Sequence, residues 1–328
     1  MKEKTYQPIA LILAGYNKVD SAYRKKYIKE IKASYDGEEL YIGENKFLYQ
    51  IEGKHIIQYV LDAIYNAKIN GKRIYEKIYV YNDVKSFQEN IDTSKYKNLE
   101  LRQMTASVAG HLKDLFPTVK YGQRVDIFFG DTPRITSEDI KYVFQSFSKI
   151  LNKEKDHRGV TAKMVYGVAR FDDMKDDNWL PNRIKYIKHG KYKGKLKSFV
   201  GFADGLGMVR VANCCCAIKH HALDEFIDKQ CINFLYNLRK ALTPTAFSKL
   251  SYYFITMKKY YLIKQVRSRE MIFVDFYQTF IDVLARLFKI DLSEFAANFF
   301  VVKQNAARWE NDIDGPQDLS AMKSKFKE

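Results

Sequence analysis

The residues best placed to do chemistry in this chain sit at the ends of apolar runs. In FFGDTPRITSEDI, residues 128–140, a hydrophobic segment stops at Gly130 and delivers a bare carboxylate, Asp131, before the chain turns through a proline. Gly-Asp-Thr-Pro is good turn chemistry in its own right. It is also what a strand tip needs if it is to hold a metal ligand over a binding crevice. Gly15 closes a second apolar run, PIALILA (8–14), and Asp83 ends a third, KIYVYND (77–83). Other reactive combinations carry less. His220 and His221 are adjacent but no third ligand is suggested, so they read as a solvated helix start. The triplet Cys214, Cys215 and Cys216 is badly placed for disulfides, and no paired CxxC or His spacing points to zinc. These cysteines read as small buried hydrophobes near a strand end. No Ser-His-Asp or Cys-His set stands out.

The elements that would position Asp131 and Gly15 alternate along the first half. Residues 8–14, 77–83, 99–104 and 125–131 have the length and continuous apolar character of buried strands. FLYQI (47–51) reads as a short strand, Gly53-Lys54 as a turn, and Ile56, Ile57, Val60, Leu61 and Ile64 repeat at helical spacing. Helices are expected near 108–121 and over 137–151. Strands alternating with helices predict right-handed crossovers and a three-layer α/β fold with a mostly parallel central sheet. In such sheets ligands collect beyond the carboxyl ends of the strands, where the strand order reverses. Further on, 163–171 and 206–218 read as strands and 222–300 as mostly helical, with Phe273, Phe276, Phe280, Val283, Leu284 and Leu287 on one face.

The 328 residues, 46% hydrophobic and 29% charged, suit one large α/β domain, or a core domain with an insertion. No apolar segment approaches the roughly 20 residues of a membrane span, no leader pattern is visible, and a reducing cytoplasm is the expected setting. The net charge of +16 serves any anionic ligand. Its densest patch, RIKYIKHGKYKGKLK (183–197), reads either as a solvated hairpin or as a phosphate-attracting surface; no recognition-helix, zinc-finger or RNA-binding signature accompanies it, so no nucleic-acid partner is expected. The basic, aromatic stretch 249–267 reads as a packed helix pair, with a peripheral membrane contact or a homodimer face as the alternatives.

Four blocks occur in an order that resembles the nucleotidyltransferase superfamily of glycosyltransferase-A-like fold, the MobA-like NTP transferases and sugar-phosphate nucleotidyltransferases. They are LILAG, KFLYQIEGKHIIQYVLDAI, IFFGDTPRITSEDI and NDIDGPQDL (311–319). The resemblance covers about 1–150 and 300–320. It implies a Rossmann-like nucleotide-binding half, transfer of a nucleotidyl group from an NTP to a phosphorylated small acceptor such as a sugar or polyol, and release of pyrophosphate. It also implies Mg²⁺ on Asp131 with Asp312 or Asp314, phosphate contacts from Lys46, and a triphosphate cradle at Leu13, Ala14 and Gly15. Gln103, Ser107 and Gly110 fall where the family meets the base and ribose, although Thr105 or Ser107 could equally be helix caps. Arg210 and Asn213 are candidates for the acceptor. The first loop departs from the pattern: Tyr16 replaces the second glycine, and Lys18, Arg24 or Lys25 is left to supply the usual arginine's charge.

These readings divide the chain into an NTP-binding half of the core (1–150), an acceptor-binding half (151–221), a helical subdomain inserted in the C-terminal half (222–305), and a metal-site block with its tail (306–328). Two other functions fit the same residues: a glycosyltransferase using a nucleotide-sugar, and a non-catalytic nucleotide- or anion-binding protein.

Overall fold

The computed structural model describes residues 6–15, 45–177 apart from 152, 157 and 171, 201–203, 207–231 apart from 230, 285–309, 312–313 and 316–326. Its centre is an eight-stranded sheet. The strands are β1 (Ile9–Leu13), β2 (Lys77–Asn82), β3 (Leu99–Gln103), β4 (Arg124–Phe129), β5 (Ala162–Arg170), β6 (Gly201–Ala203), β7 (Gly207–Ile218) and β8 (Ala296–Val301). Their order is β8-β5-β7-β4-β1-β2-β3, with β6 on β7. β7 is antiparallel to β4, β5 and β6, and every other pairing is parallel. The mostly parallel sheet expected from the alternation is therefore present, with a single reversed strand.

Burial explains why β1 is central. All five of its residues are buried, and they alternate between the two faces: Ala10 and Ile12, followed by Ala14 just past the strand, join one core, and Ile9, Leu11 and Leu13 the other. A strand with no polar face can only sit between two layers. Helix α1 (Ile56–Asn66) places Ile57, Val60, Leu61 and Ile64 on the first face, beside Ile140, Val143, Phe147 and Ile150 of α4 (Ser137–Ile150). The second face is covered by Leu112 and Leu115 of α3 (Val108–Leu115) and by Ala222, Leu223, Phe226 and Ile227 of α5 (His221–Asp228). Burying each large aliphatic side chain contributes about 1.5–3 kcal/mol, so both stripes are strongly held. Two further helices are α2 (Val84–Asn90), which follows β2, and α6 (Pro316–Lys325) near the end of the described residues.

The chain runs outward from β1 to β2 and β3, then returns to place β4 on the other side of β1. The order reverses between β1 and β4, so Gly15 and Asp131 emerge side by side at a topological switch point.

Three sequence expectations change. FLYQI is not one strand: Lys46–Leu48 form a 3-10 turn, and only Gln50–Ile51 pair, with Lys54–His55. The segment 222–300 is not helical to its end, because Ala296–Val301 run parallel to β5 in the main sheet. Its apolar AANFFV fits a buried strand as well as a buried helix, and periodicity cannot separate the two. The cysteine triplet lies within the twelve-residue β7 rather than at its end, with Cys214 and Cys216 buried. Residues 232–284 of the segment expected to be helical, the patch 183–197 and the basic stretch 249–267 lie outside the described residues. Among the described residues no helix is long and apolar enough to cross a membrane.

Candidate active site at the switch point

β4 brings Asp131 to the crevice through a narrow passage. The Gly130 amide donates to the Leu13 carbonyl at 3.0 Å, extending the β1–β4 ladder by one residue. A side chain at Gly130 would crowd Ala14, Phe47 and Ile57, its Cβ lying 3.0–3.3 Å from their side chains. Thr132 then turns the chain, its buried hydroxyl donating to the Phe129 carbonyl at 3.0 Å. Asp131 is left 9% exposed at the mouth.

Three consecutive residues dock against these tips. Asn45 donates its amide to Asn82 Oδ1 at 2.8 Å, Lys46 donates to Asp131 Oδ2 at 2.5 Å, and Phe47 packs into the core under Gly130. The Lys46 and Asp131 side chains keep only 17% and 12% exposure, so the pair is largely withdrawn from water. Asn82, buried at the end of β2, also donates to the Ala14 carbonyl at 2.7 Å and accepts from the Asp83 amide at 2.9 Å. One amide side chain thereby fixes the ends of β1 and β2 and the segment carrying Lys46.

The C-terminal block arrives from the other direction. The Ile313 amide donates to the Asp131 carbonyl at 3.1 Å, which sets Asp312 next in sequence to a residue touching the Gly-Asp turn. Trp309 is fully buried and stacks on Phe128 at 6.2 Å between ring centroids. The C-terminal block, more than half the chain further on, thus adjoins the Gly-Asp turn through its main chain. Asp314, Lys18 and Arg24 lie outside the described residues.

On the far wall, Gly15 faces a buried imidazole. A Cβ at Gly15 would lie 2.6 Å from His111 Cε1. His111 stacks on Tyr81 at 4.7 Å, and among the described residues neither ring nitrogen has a partner in hydrogen-bond geometry. Burial pushes its pKa down from an ordinary 6.5 to about 4, so the ring is neutral near pH 7. The Tyr81 hydroxyl donates to Asp114 at 2.6 Å, and Arg102 holds the same carboxylate at 2.9 Å.

The expected base-binding residues have definite local tasks. Ser107 caps α3, accepting from the Gly110 amide at 3.1 Å. Gly110 packs so tightly that a Cβ would sit 2.3 Å from Thr105 Oγ1. Gln103 accepts from the Val84 amide at 3.2 Å, tying the end of β3 to the start of α2. Asn213 is half-buried on β7, one residue before Cys214, which pairs with Phe128; it therefore lies toward the carboxyl end of β4, and among the described residues its Nδ2 has no hydrogen-bond partner. Arg210 follows the same strand outward, its main chain opposite Ala169, and its side chain lies outside the description. Lys54, another conceivable phosphate contact, pairs instead with Asp62 at 2.6 Å. The sequence reading missed Asn45, Asn82 and His111; a polar side chain inside an otherwise buried strand was the one signal available, and only for Asn82.

Among the described residues no group of three or more His, Cys, Asp or Glu side chains could hold a metal. A cation held by Asp131 and Asp312 would have two hard carboxylates and would keep other positions for water or substrate oxygens. That donor set suits Mg²⁺ rather than a soft metal.

A doubly wound α/β sheet whose strand order reverses beside Gly15 and Asp131 places this crevice where such sheets bind ligands. The chain is similar in sequence to a MobA-like NTP transferase. It is 24% identical over 176 residues to a probable molybdenum cofactor guanylyltransferase of Aquifex aeolicus (strain VF5), covering 52% of this chain and 77% of that protein. It shares its fold with a hypothetical transferase from Thermus thermophilus, at a TM-score of 0.54 and 16% identity, over 96% of this chain and 100% of that one. A 4-diphosphocytidyl-2C-methyl-D-erythritol synthase from Anaerococcus prevotii superposes at 0.45 with 10% identity, over 98% and 96% of the two chains, too distant to carry an argument. No family model matches the chain. Nucleotidyl transfer is the type of function that this relationship supports.

Proposed function

We propose that the protein transfers a nucleoside monophosphate from an NTP to a phosphorylated small acceptor and releases pyrophosphate, with Mg²⁺ bound by Asp131 and Asp312. The observation that carries this reading is the meeting of Asp131, Lys46 and the Asp312 block at the β1–β4 switch point. In-line attack of an acceptor phosphate on the α-phosphorus brings two anions together, so positioning and charge stabilisation do most of the work. When bound, Mg²⁺ supplies Lewis-acid stabilisation of the phosphoryl oxygens.

The chain's own residues do the rest. The tip of β1 at Ala14 and Gly15, fixed by Asn82, presents main-chain groups to the triphosphate. Gly15, lacking a Cβ, allows that approach above His111. Lys46 holds the Asp131 carboxylate in the absence of substrate; with a cation on that carboxylate, its ammonium would be able to meet phosphate oxygens. Asn213, on the strand running out past the carboxyl end of β4, contributes to the acceptor side, and Arg210 further along the same strand is the candidate for the acceptor's phosphate. The Lys46 and Asp131 side chains, largely withdrawn from water, make these charge contacts stronger than they would be in solvent.

The test is a pyrophosphate-release screen with each of the four common NTPs against a panel of sugar and polyol phosphates, with and without Mg²⁺. The reading predicts Mg²⁺-dependent release with one NTP and one class of acceptor. Release of a nucleoside diphosphate from a nucleotide-sugar, with no pyrophosphate from any NTP, would overturn it.

A further inference from the structure

Asp139 is fully buried, yet it belongs to neither the expected metal set nor the core. It lies in the first turn of α4, eight residues after Asp131. Its carboxylate accepts from the Thr136 amide at 2.9 Å and the Thr136 hydroxyl at 2.8 Å, and its own amide donates back to that hydroxyl at 3.3 Å, completing the capping box of the helix. A cap needs no more than this. Two further donors nevertheless come from 166 and 169 residues away: Asn305 Nδ2 at 2.7 Å and Arg308 Nη1 at 3.1 Å. The buried charge is thus compensated from the C-terminal block, which is the condition for keeping a carboxylate out of water.

Arg308 belongs to the 3-10 turn Ala306–Trp309, whose last residue stacks on Phe128 of β4. Only three residues separate Trp309 from Ile313, whose amide binds the Asp131 carbonyl. The segment carrying Asp312 is therefore pinned at both ends to the Gly-Asp block: by Asp139 through Arg308 and Asn305 on one side, by Asp131 on the other. We propose that Asp139 is a positioning residue, acting through Arg308 and Asn305 to hold Asp312 in register with Asp131 for cation binding. This rests on the metal reading above. Asp139 touches no substrate; its effect is on how well two acids from separate blocks share one cation.

The test uses Mn²⁺ alone as a probe for the Mg²⁺ site, its binding followed by electron paramagnetic resonance on the full chain. Arg308→Gln leaves the Thr136–Asp139 cap intact and should weaken Mn²⁺ binding about tenfold, while Arg308→Lys should recover most of it. Asp139→Asn should act in the same direction. Melting temperatures accompany each variant, and Asn305→Ala replaces any that does not fold. In turnover, the positioning variants should raise the Mg²⁺ concentration for half-maximal rate more than they lower the rate at saturation. Mn²⁺ binding in Arg308→Gln and Asn305→Ala equal to that of the unaltered protein would overturn the positioning role. Absence of Mn²⁺ binding to the unaltered protein would overturn the metal reading itself, and the inference with it.

Discussion

Replacing Asp131 with Asn preserves the size and the turn but strands the Lys46 ammonium, whose side chain is only 17% exposed. From the sequence, the substitution should leave stability unchanged or raised, because the nearby acids repel one another. The ion pair reverses that expectation. Breaking a fully buried pair by removing one partner costs about 3–5 kcal/mol, and the residual exposure here lowers the figure to roughly 1–3 kcal/mol. Lys46→Met should cost a similar amount by leaving the carboxylate alone. The double variant should not cost the sum, since a neutral, similarly sized pair is often as stable as the ion pair it replaces. A double-mutant cycle in urea therefore predicts a coupling of at least 1 kcal/mol, well above the roughly 0.3–0.5 kcal/mol within which independent sites add. Activity should behave differently. Asp131→Asn and the double variant should both lose at least about a hundredfold in rate, the scale of one electrostatic contact of about 3 kcal/mol in a transition state. Additive stabilities would refute the apo ion pair. Recovered activity in the double variant would refute the metal role of Asp131.

Three further expectations follow from the site walls. Gly15→Ala drives a methyl to within 2.6 Å of the His111 ring and should cost about 1–3 kcal/mol through overpacking, with loss of nucleotide binding; adding His111→Ala should restore stability if the ring is the obstacle. Asn82→Leu leaves the Ala14 carbonyl, the Asp83 amide and the Asn45 side chain without this partner, and calorimetry should show a loss of at least about 1–3 kcal/mol, the cost of one buried unsatisfied group. His111 has a native pKa of about 4 against 6.5 unfolded, so the unfolded chain takes up the proton first; stability is full above about 6.5 and falls by about 3 kcal/mol (2.5 units at 1.36 each) as pH drops to 4. Urea melts across that range should show this loss, and His111→Phe should lack it.

How far the sequence could be read depended on whether a signal was local. β1 was legible because a run of apolar residues closed by glycine has few other uses in an alternating chain. α1 was legible through its 3.6-residue period, and Asp131 through the abrupt end of an apolar run. β8 was not, since AANFFV has no period to mark it as strand and pairs with residues more than a hundred positions earlier. The Lys46–Asp131 pair and the Asp139–Arg308 contact were invisible for the same reason: each is created only when the sheet closes. Gln103 and Ser107 were legible as the end of β3 and the start of α3, where they have main-chain partners. His111 left no trace because its importance lies in what Gly15 lacks.

Nucleotide binding by calorimetry, run with and without Mg²⁺ on the unaltered protein and on Asp131→Asn, tests the central claim most directly. The account predicts that one NTP binds the unaltered protein in a Mg²⁺-dependent manner and stabilises it by about 2.7 kcal/mol at a hundredfold excess over Kd. It further predicts that Asp131→Asn abolishes the Mg²⁺ dependence. Failure of every NTP to bind with Mg²⁺ present, or Mg²⁺-dependent binding that survives Asp131→Asn unchanged, would contradict it.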